Sequence, residues 1–571
     1  MKFSIINHKN LDTSKLENGF ILVPNSWNDY SFRTQYTLFY LTIENQLQKK
    51  TQIGTVKILK RGQTDDGNLP IEKDFTTLED NYISLGQSLD YYQRIIELEG
   101  GIAPMLLSSL RDAIYLPHLI PQFREERGWK YSLLRGYSEG DSFFETAKSI
   151  LFNSFEDLEK KPLIFSFKMK DWDEEVIFDF SPTAGNYLSG TELPNRLIAL
   201  IGRNGTGKST LLSRIARIAH GTVRDRTYNS YTQLGLIKPE NITFPRIITV
   251  SYSAFDSFRL PGVDPKKNAF QEYLSKANRV GDFGSQNDGE LDPEQVDERD
   301  QIISDMVDGR GRYIFCGLRD IAEESKTQLA IENSLSPELN ELDKLSTTLL
   351  KSLEALAIEF EKNIIRINDN GDSSLFDEAL SRLVSDPSFG YETTEINTLN
   401  LLNSDIKKKF KSWSTGHKIV MQIISSLAAH TTNSSLILID EPETYLHPPL
   451  LATLMHSIRY ILNTKQAYAI VATHSPVVLQ ETLVKNVYKI QGNGSNTEIS
   501  TPSLETFGEN IGTLTTEIFG LNSNITDFYK TLNHMITEHE TLESIESHFK
   551  PHGLSTQARA YVISNIAKRK R

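Results

Sequence analysis

The sequence predicts an α/β protein: a phosphate-loop head on a mostly parallel sheet, with a helical lobe inserted in it and an α+β accessory region ahead of it. Three observations carry this. Beyond residue 411, helical and extended segments alternate as HKIVMQIISSLAAH, SLILID, LLATLMHSIRYIL, AYAIVATHS and NVYKIQ, the pattern of a parallel sheet with helical crossovers. Far upstream, the apolar run RLIALIG enters a glycine-rich loop and then the helical stretch STLLSRIARIA. Between these two regions lies a long interval with no such alternation.

Residues 1–140 read as the accessory region. Phe20–Val23, Tyr36–Ile43 and Gly54–Leu59 have the composition of strands, and RGQTDDGN (Arg61–Asn68) that of a turn. From Leu85 to about Leu134 the pattern turns helical, with YYQRIIELEG and MLLSSLRDAI. Residues 141–258 read as the first lobe of the head, with strands LIFSFKM, EVIFDF, RLIALIG and RIITVSY. Residues 259–410 read as a mainly helical insertion. Its acidic stretch Gly281–Asp300 is expected to be mobile. Its later part, Leu342–Ile365, has the apolar spacing of an amphipathic helix packed on its own domain, with too few heptads for a long coiled coil. Residues 411–520 read as the second lobe of the head, and residues 521–571 as a helical tail ending in Lys568-Arg569-Lys570-Arg571.

A chain of 571 residues exceeds one compact core and is expected to divide into two to four units. Its net charge of −13 argues against nucleic-acid binding as the bulk purpose of the surface. A single cysteine, Cys316, excludes an internal disulfide framework and reads as a buried, inert thiol. The amino-terminal segment lacks a secretory signal's apolar run, and no stretch approaches the roughly 20 apolar residues of a membrane span. The expectation is a soluble, cytoplasmic protein with no membrane partner.

The chemistry begins at Gly202-Arg203-Asn204-Gly205-Thr206-Gly207-Lys208-Ser209, which fits G-x-x-x-x-G-K-[ST] between a strand and a helix. Glycines let backbone N–H groups converge on phosphate oxygens, and the helix N-terminus adds favourable partial charge. Asn204, Gly205, Thr206, Gly207, Lys208, Ser209 and Thr210 are the expected nucleotide contacts. Lys208 is placed at the β- and γ-phosphates of ATP and Ser209 on Mg²⁺.

Leu436–Ile439 is an apolar strand ending in Asp440 and Glu441. Charges belong at the carboxyl end of such a strand, where ligands bind in open α/β sheets. Asp440 suits Mg²⁺, and Glu441 suits polarisation of an attacking water. His474, in ATHSP, closes the next strand and reads as a sensor of the γ-phosphate. Ser414 and Gly416, in STGHK, open a helix and form a second anion site. One chain already has a loop for its own nucleotide, so this second site makes sense as a reader of ATP held by a partner chain.

GRNGTGKST, WSTGHK, LILIDEPETYLHPP and VATHSP, in that order, resemble the ABC-type ATPases of the OLD, RecF and SMC group. The likeness covers about half the chain and implies a P-loop ABC-ATPase head that dimerises around ATP and Mg²⁺. The amino-terminal module, YSAFDSF (Tyr252–Phe258), YIFCGLRD (Tyr313–Asp320) and TFGENIGTLTTEIFGL (Thr506–Leu521) resemble the PtuA-type ATPases of bacterial anti-phage systems, Septu and retron modules among them. That resemblance implies a homodimer or higher oligomer and a separate HNH nuclease. In retron versions it also implies a reverse transcriptase with structured DNA. Two departures stand out. The usual Q-loop glutamine is absent, leaving Ser253 or Asp256 as a stand-in. The signature lacks the transporter form, which disfavours a transport ATPase. No TOPRIM-like acidic cluster or paired-histidine nuclease motif is visible.

The function expected is therefore a regulatory ATPase subunit of a defence complex that controls a separately encoded nuclease. Two alternatives stay open: a RecF/SMC-like repair ATPase that binds DNA directly, and a slowly hydrolysing, ATP-locked scaffold.

Overall fold

A computed structural model describes the chain except residues 1, 7–17, 26–28, 45–46, 65–70, 156–157, 159–161, 183–192, 263–292, 333–342, 346–347, 388, 390–395, 493, 520–526, 539–540 and 570–571. Two compact units emerge, Met1–Phe507 and Gly508–Arg571.

The first unit opens with six strands: β1 (Phe3–Ile5), β2 (Gly19–Pro24), β3 (Gln35–Glu44), β4 (Leu47–Lys60), β5 (Asp74–Phe75) and β6 (Tyr82–Gly86). They form one sheet in the order β5-β1-β2-β3-β4-β6. The register of β3 against β4 shifts after Leu38, opposite Gly54. Gly54 has φ +141°, and a Cβ there would lie 3.3 Å from Tyr91, so a glycine bulge lets the next helix sit close on the sheet.

That helix is α1 (Leu89–Ile96), capped by Ser88; α2 (Ala103–Ser109) and α3 (Ser142–Phe152) follow. The expected helical run from Leu85 is thus shorter and broken. Residues to Gly86 belong to β6, and MLLSSLRDAI leaves the helix after Ser109, with Arg111 in the left-handed region at φ 52°. Asp112 then accepts from the Tyr92 hydroxyl (3.0 Å) and the Ile114 and Tyr115 amides, fixing a turn instead of a further helical turn.

A small antiparallel sheet follows, built from β7 (Ile164–Met169), β8 (Val176–Asp179) and β10 (Gly235–Lys238) in the order β10-β7-β8. The main sheet contains β9 (Leu197–Gly202), β11 (Ile247–Ser251), β12 (Tyr313–Gly317), β13 (Leu436–Asp440), β14 (Tyr468–Thr473), β15 (Val487–Gln491) and β16 (Glu498–Ser500). Their order is β12-β11-β13-β14-β9-β15-β16, parallel except for the last pairing. Strands β9 and β13, and β14 up to Thr473, are apolar along their buried length because both faces are covered. One covering element is α4 (Lys208–His220), whose Leu211, Leu212, Ile215 and Ile218 join Ile198, Leu200, Leu438 and Ile470 in a single core.

In the interval between the ATPase segments lie α5 (Pro293–Asp308), α6 (Ile321–Glu332), α7 (Leu353–Asp369), α8 (Ser373–Leu383), α9 (Thr398–Leu402) and α10 (Ile406–Ser412). It also supplies β12, the edge strand of the main sheet. Most of the acidic stretch expected to be mobile lies outside the described residues, and its end, from Pro293, is helix α5. The amphipathic helix expected from Leu342, a residue outside those described, starts only at Leu353. There Ser352 accepts from the Ala355 amide (3.1 Å) and caps it. The preceding stretch makes ladder bonds instead: the Leu345 amide donates to Ser257 (2.7 Å) and the Lys351 amide to Leu318 (2.7 Å). Helix α7 buries Ala357, Phe360, Ile364 and Ile367. It packs within its own unit, against α10 and the next helix, α11 (Thr415–His430). Then come α12 (Pro448–Thr464) and α13 (Pro476–Gln480).

Helix α1 ties the amino-terminal region to the ATPase segments through one polar face. Asp90 lies 3.4 Å from both His220, the last residue of α4, and Arg312. Arg94 pairs with Asp305 (2.7 Å), and Glu97 binds Arg246 (3.0 Å) and the Gly311 amide (2.9 Å). Spacings of four and three residues put Asp90, Arg94 and Glu97 on one side of the helix. The arginine and histidine charges hold the buried Asp90 carboxyl far below its usual range, against the opposing effect of burial.

The second unit contains α14 (Ile511–Phe519), α15 (Asp527–Glu538), α16 (Leu542–Ser547) and α17 (Thr556–Arg569). Leu532, Ile536, Ile545 and Val562 form its core. Among the described residues, no helix is long and apolar enough to cross a membrane. Cys316 is buried, and burial pushes its thiol up to about 11, which fits an inert role.

Candidate functional site

Strand β9 delivers the loop to the carboxyl edge of the main sheet. Gly205 and Gly207 adopt φ +82° and +90°, conformations that glycine takes without steric cost. Gly207 is also hemmed in: a Cβ there would lie 3.3 Å from Trp172, a buried residue just after β7. The first bond of α4 runs from the Leu211 amide to the Gly207 carbonyl (2.8 Å). The Lys208, Ser209 and Thr210 amides therefore have no partner within the helix and form an anion-binding end.

Around this loop the sheet order assembles the other predicted residues, because β14 lies between β9 and β13. Lys208, only 5% exposed, donates to Gly202 O (3.0 Å) and Arg203 O (3.2 Å) and lies 3.0 Å from His474 Nε2. Ser209 Oγ donates to Asp440 Oδ1 at 2.9 Å. His474 Nε2 is also 3.4 Å from Glu441 Oε1. One ring nitrogen cannot both accept from the Lys208 ammonium and donate to the Glu441 carboxylate, so the two are alternative hydrogen bonds of His474.

Glu441 sits at φ 47°, unusual for a residue with a side chain, and its amide donates to Ala472 O (2.9 Å) across to β14. Holding such a conformation costs on the order of 1–3 kcal/mol and aims the carboxylate off the strand end. The His474 contact, with the His474 and Lys208 charges behind it, holds the Glu441 carboxyl below its usual range despite partial burial, so it is ionised at neutral pH. Burial pushes Asp440 up to about 7, with the nearby Asp256 and Glu441 charges adding to it and the Ser209 hydroxyl opposing. Burial lowers Lys208, against the pull of Glu441, Asp440 and Glu443.

Glu443 is a contributor that the motif reading did not single out. Its carboxylate accepts from the Thr473 hydroxyl (2.9 and 3.0 Å) and from the His474 amide (2.6 Å), so it fixes the turn that presents the histidine. The second glutamate of the EPE triplet was the available signal. Trp172 had none beyond being a lone tryptophan in a turn.

Ser414 caps α11, accepting from the His417 amide at 3.3 Å, and its side chain is exposed. Gly416 lies against the turn after Glu441: a Cβ there would meet Tyr445 O at 3.5 Å and Leu450 at 3.6 Å, ordinary contacts. The start of α11 is thus at the carboxyl edge of the sheet. Among the described residues, Ser414 shares no hydrogen bond with the loop of its own chain.

Nucleotide and Mg²⁺ fit this set. Ser209 and Asp440 already bring a hydroxyl and a carboxylate oxygen together. Beside Asp440 in the β11–β13 register, Ser251 has a buried hydroxyl with no partner. Among the described residues, no three His, Cys, Asp or Glu side chains form a metal cluster. A hydroxyl and a carboxylate suit Mg²⁺, which takes one or two carboxylates and completes its shell with phosphate and water.

Residues 197–480 match the family described as "AAA domain, putative AbiEii toxin, Type IV TA system". "Protein ea59" of Escherichia phage lambda is 28% identical over 550 residues, covering 95% of this chain and 94% of that protein. "ABC transporter G family member 22" of Arabidopsis thaliana is 30% identical over 106 residues, 16% of this chain and 14% of that one. The solved SMC head domain from Thermotoga maritima is 14% identical and covers 60% of this chain and all (100%) of that one, with a TM-score of 0.26. A likeness at that TM-score says nothing of function. The family match falls on the segment that holds the assembled loop, carboxylates and histidine.

Proposed function

We propose that the protein hydrolyses ATP between two copies docked head to head, and that this cycle controls a separately encoded effector nuclease in a bacterial anti-phage complex. The observation that carries the paired arrangement is the start of α11. It presents an exposed Ser414, a helix N-terminus and a partly exposed glycine beside the turn that follows Glu441. Own-chain packing does not demand glycine at 416. A close outside approach would.

Within each site, the loop amides and Lys208 would hold the phosphates, and Ser209 and Asp440 would hold a divalent cation, whose charge would offset that of the phosphoryl group. Glu441, ionised, takes a proton from the attacking water. His474 shifts between Lys208 and Glu441 as the γ-phosphate comes and goes.

Three things support the defence reading. The matched family's description names a toxin of a Type IV TA system. A relative along nearly the whole chain comes from a phage. Two of the stretches that resemble PtuA-type ATPases lie on neighbouring strands: Tyr313–Asp320 opens with β12, which pairs with β11, and Tyr252–Phe258 follows the end of β11 at Ser251. The test is purification of the full chain from native cells, with mass spectrometry of bound protein and nucleic acid. Recovery of an HNH-type nuclease is expected, and the chain alone should cut neither DNA nor RNA with Mg²⁺ or Mn²⁺. Intrinsic cleavage lost on mutating a residue outside the ATPase motifs would refute this. DNA-stimulated hydrolysis with no protein partner would point to a RecF/SMC-like repair ATPase instead.

A further inference from the structure

The amino-terminal region exposes two tyrosines on a strained, clamped surface that the nucleotide site does not use. Asp29 and Phe32 exchange both backbone bonds (2.9 and 3.0 Å), so Tyr30 and Ser31 form a two-residue hairpin loop between them. Both have positive φ, 50° and 76°. A loop of that conformation favours Asn-Gly, and a tyrosine held there costs free energy. Strained positions of this kind cluster at ligand sites. Tyr30 is 68% exposed.

The second tyrosine comes from another unusual turn. Trp129–Leu133 is one turn of π-helix, with the Leu134 amide donating to Trp129 O (2.9 Å), a rare geometry often found at functional sites. Trp129 is buried in the same core as Phe32, and Tyr131 is 41% exposed. Gly128 permits the close approach of the two turns: a Cβ there would lie 2.3 Å from Leu59 and 3.1 Å from Phe32. The Tyr30 and Tyr131 rings meet edge to face at 5.8 Å.

A buried ionic clamp joins the two turns. Lys57, 1% exposed, lies 2.6 Å from Asp29 Oδ2 and donates to Ser132 O (2.8 Å). The Ser132 hydroxyl donates to Asp29 Oδ2 (3.3 Å), and Arg135 pairs with Asp29 Oδ1. A buried ion pair adds little stability over apolar packing. Here it fixes the placement of two exposed rings.

Cations surround those rings. Arg135 lies over Tyr30, 5.1 Å from the ring centre, and Arg127 and Lys130 are each 5.9 Å from the centre of Tyr131. Arg127 and Lys130 are exposed. Glu139 is taken up by Arg124 (2.6 Å) and Trp129 (2.9 Å). Glu125 and Glu126 also belong to this segment, so its ring–cation geometry sets it apart and not bulk charge, in keeping with a net charge of −13. Aromatic faces beside cations suit single-stranded nucleic acid, whose unpaired bases stack on the rings while its phosphates meet the cations. Duplex bases are already stacked on one another.

We propose that Tyr30 and Tyr131, with Arg127, Lys130 and Arg135, form a binding site for single-stranded nucleic acid. The assignment does not depend on the ATPase reading.

The experiment is fluorescence anisotropy of the full chain with fluorescein-labelled oligothymidylate or oligouridylate of about 20 nucleotides, long enough to cover one site, and with a duplex of equal length. The parent should bind a single strand about tenfold more tightly than the duplex, roughly the worth of one base stack. Tighter binding of oligothymidylate assigns the site to DNA, and of oligouridylate to RNA. Tyr131→Ala should weaken single-strand binding by about 5- to 100-fold, and Tyr131→Phe, which keeps the π-face, should bind as the parent does. Tyr30→Gly separates the site from the fold. Glycine takes φ 50° without steric cost, so thermal melting should hold or rise while single-strand binding falls as in Tyr131→Ala. Lys130→Ala should flatten the salt dependence by about 0.7 in log–log slope. Absence of single-strand binding by the parent overturns the proposal, as does parent-like binding in both Tyr30→Gly and Tyr131→Ala. Equal losses in Tyr131→Ala and Tyr131→Phe overturn the stacking role. Binding of phosphatidylserine vesicles, lost in the same variants and without binding of either oligonucleotide, makes the surface a membrane site and overturns the proposal too.

Discussion

Gly416→Glu separates the two halves of a composite site. Within its own chain the change is mild. The added Cβ meets only ordinary contacts at 3.5 and 3.6 Å, and a negative charge in the first turn of α11 stabilises a helix by about 0.3–1 kcal/mol. Against a γ-phosphate brought up by a second head, the same carboxylate is repulsive. One pair of unit charges at about 4 Å costs about 4 kcal/mol at an effective dielectric of about 20, which is roughly a thousandfold in a docking constant. The expected protein is therefore folded and ATP-binding but unable to dock. Phosphate release per chain should rise with protein concentration in the parent and stay near zero in Gly416→Glu, while thermal melting is not lowered. Mixing it with Lys208→Ala, which has an intact Ser414–Gly416 helix end and a dead loop, restores one complete site per mixed dimer. Partial recovery of phosphate release is expected. Hydrolysis by Gly416→Glu at the parent rate, independent of concentration, would refute the head-to-head arrangement.

Glu441→Gln should retain ATP and accumulate paired heads while phosphate release falls by about 10²–10⁴-fold, the usual share of a general base; sizing chromatography with ATP and a phosphate assay check both. Asp440→Asn should change the pH dependence of stability. The carboxyl is raised to about 7 in the folded chain, so between roughly pH 4 and 7 the folded state holds a proton that the unfolded chain has released. Stability therefore falls as pH rises through that window, and the asparagine variant should lose this slope. Urea melts of both proteins without divalent metal, from pH 5 to 8, measure it, and equal slopes would refute the assignment. Adding Mg²⁺ and nucleotide should flatten the parent's slope by favouring the ionised carboxylate.

Much of the site was legible because its chemistry is local. The loop needs glycines at positive φ, which Gly205 and Gly207 adopt, followed at once by a helix. A buried strand can carry Asp440 and Glu441 only at its end. Helix α11 needs a capping residue, and Ser414 caps it. The interval between the ATPase segments was harder. The stretch before Leu353 carries helical apolar spacing yet makes ladder bonds to Ser257 and Leu318, because tertiary partners outweigh intrinsic propensity. Nothing in one sequence marks Glu443 as the anchor of His474, since that role is defined by a partner from another segment.

The sequence by itself determined the order of phosphate loop, signature, carboxylate strand and histidine, and with it the ATPase class. These are short-range demands of backbone conformation and strand-end polarity. Only the tertiary structure decided which of them meet. Placing β14 between β9 and β13 brings Lys208, His474 and Glu441 within contact of one another. The β11–β13 register sets Ser251 beside Asp440. The α1 face of Asp90, Arg94 and Glu97 ties the amino-terminal region to the far end of the phosphate-loop helix, to α5 and to the start of β11 through His220, Asp305 and Arg246. Such pairings join residues far apart in the chain, and their energy comes from burial and register across the whole sheet, which no local pattern encodes.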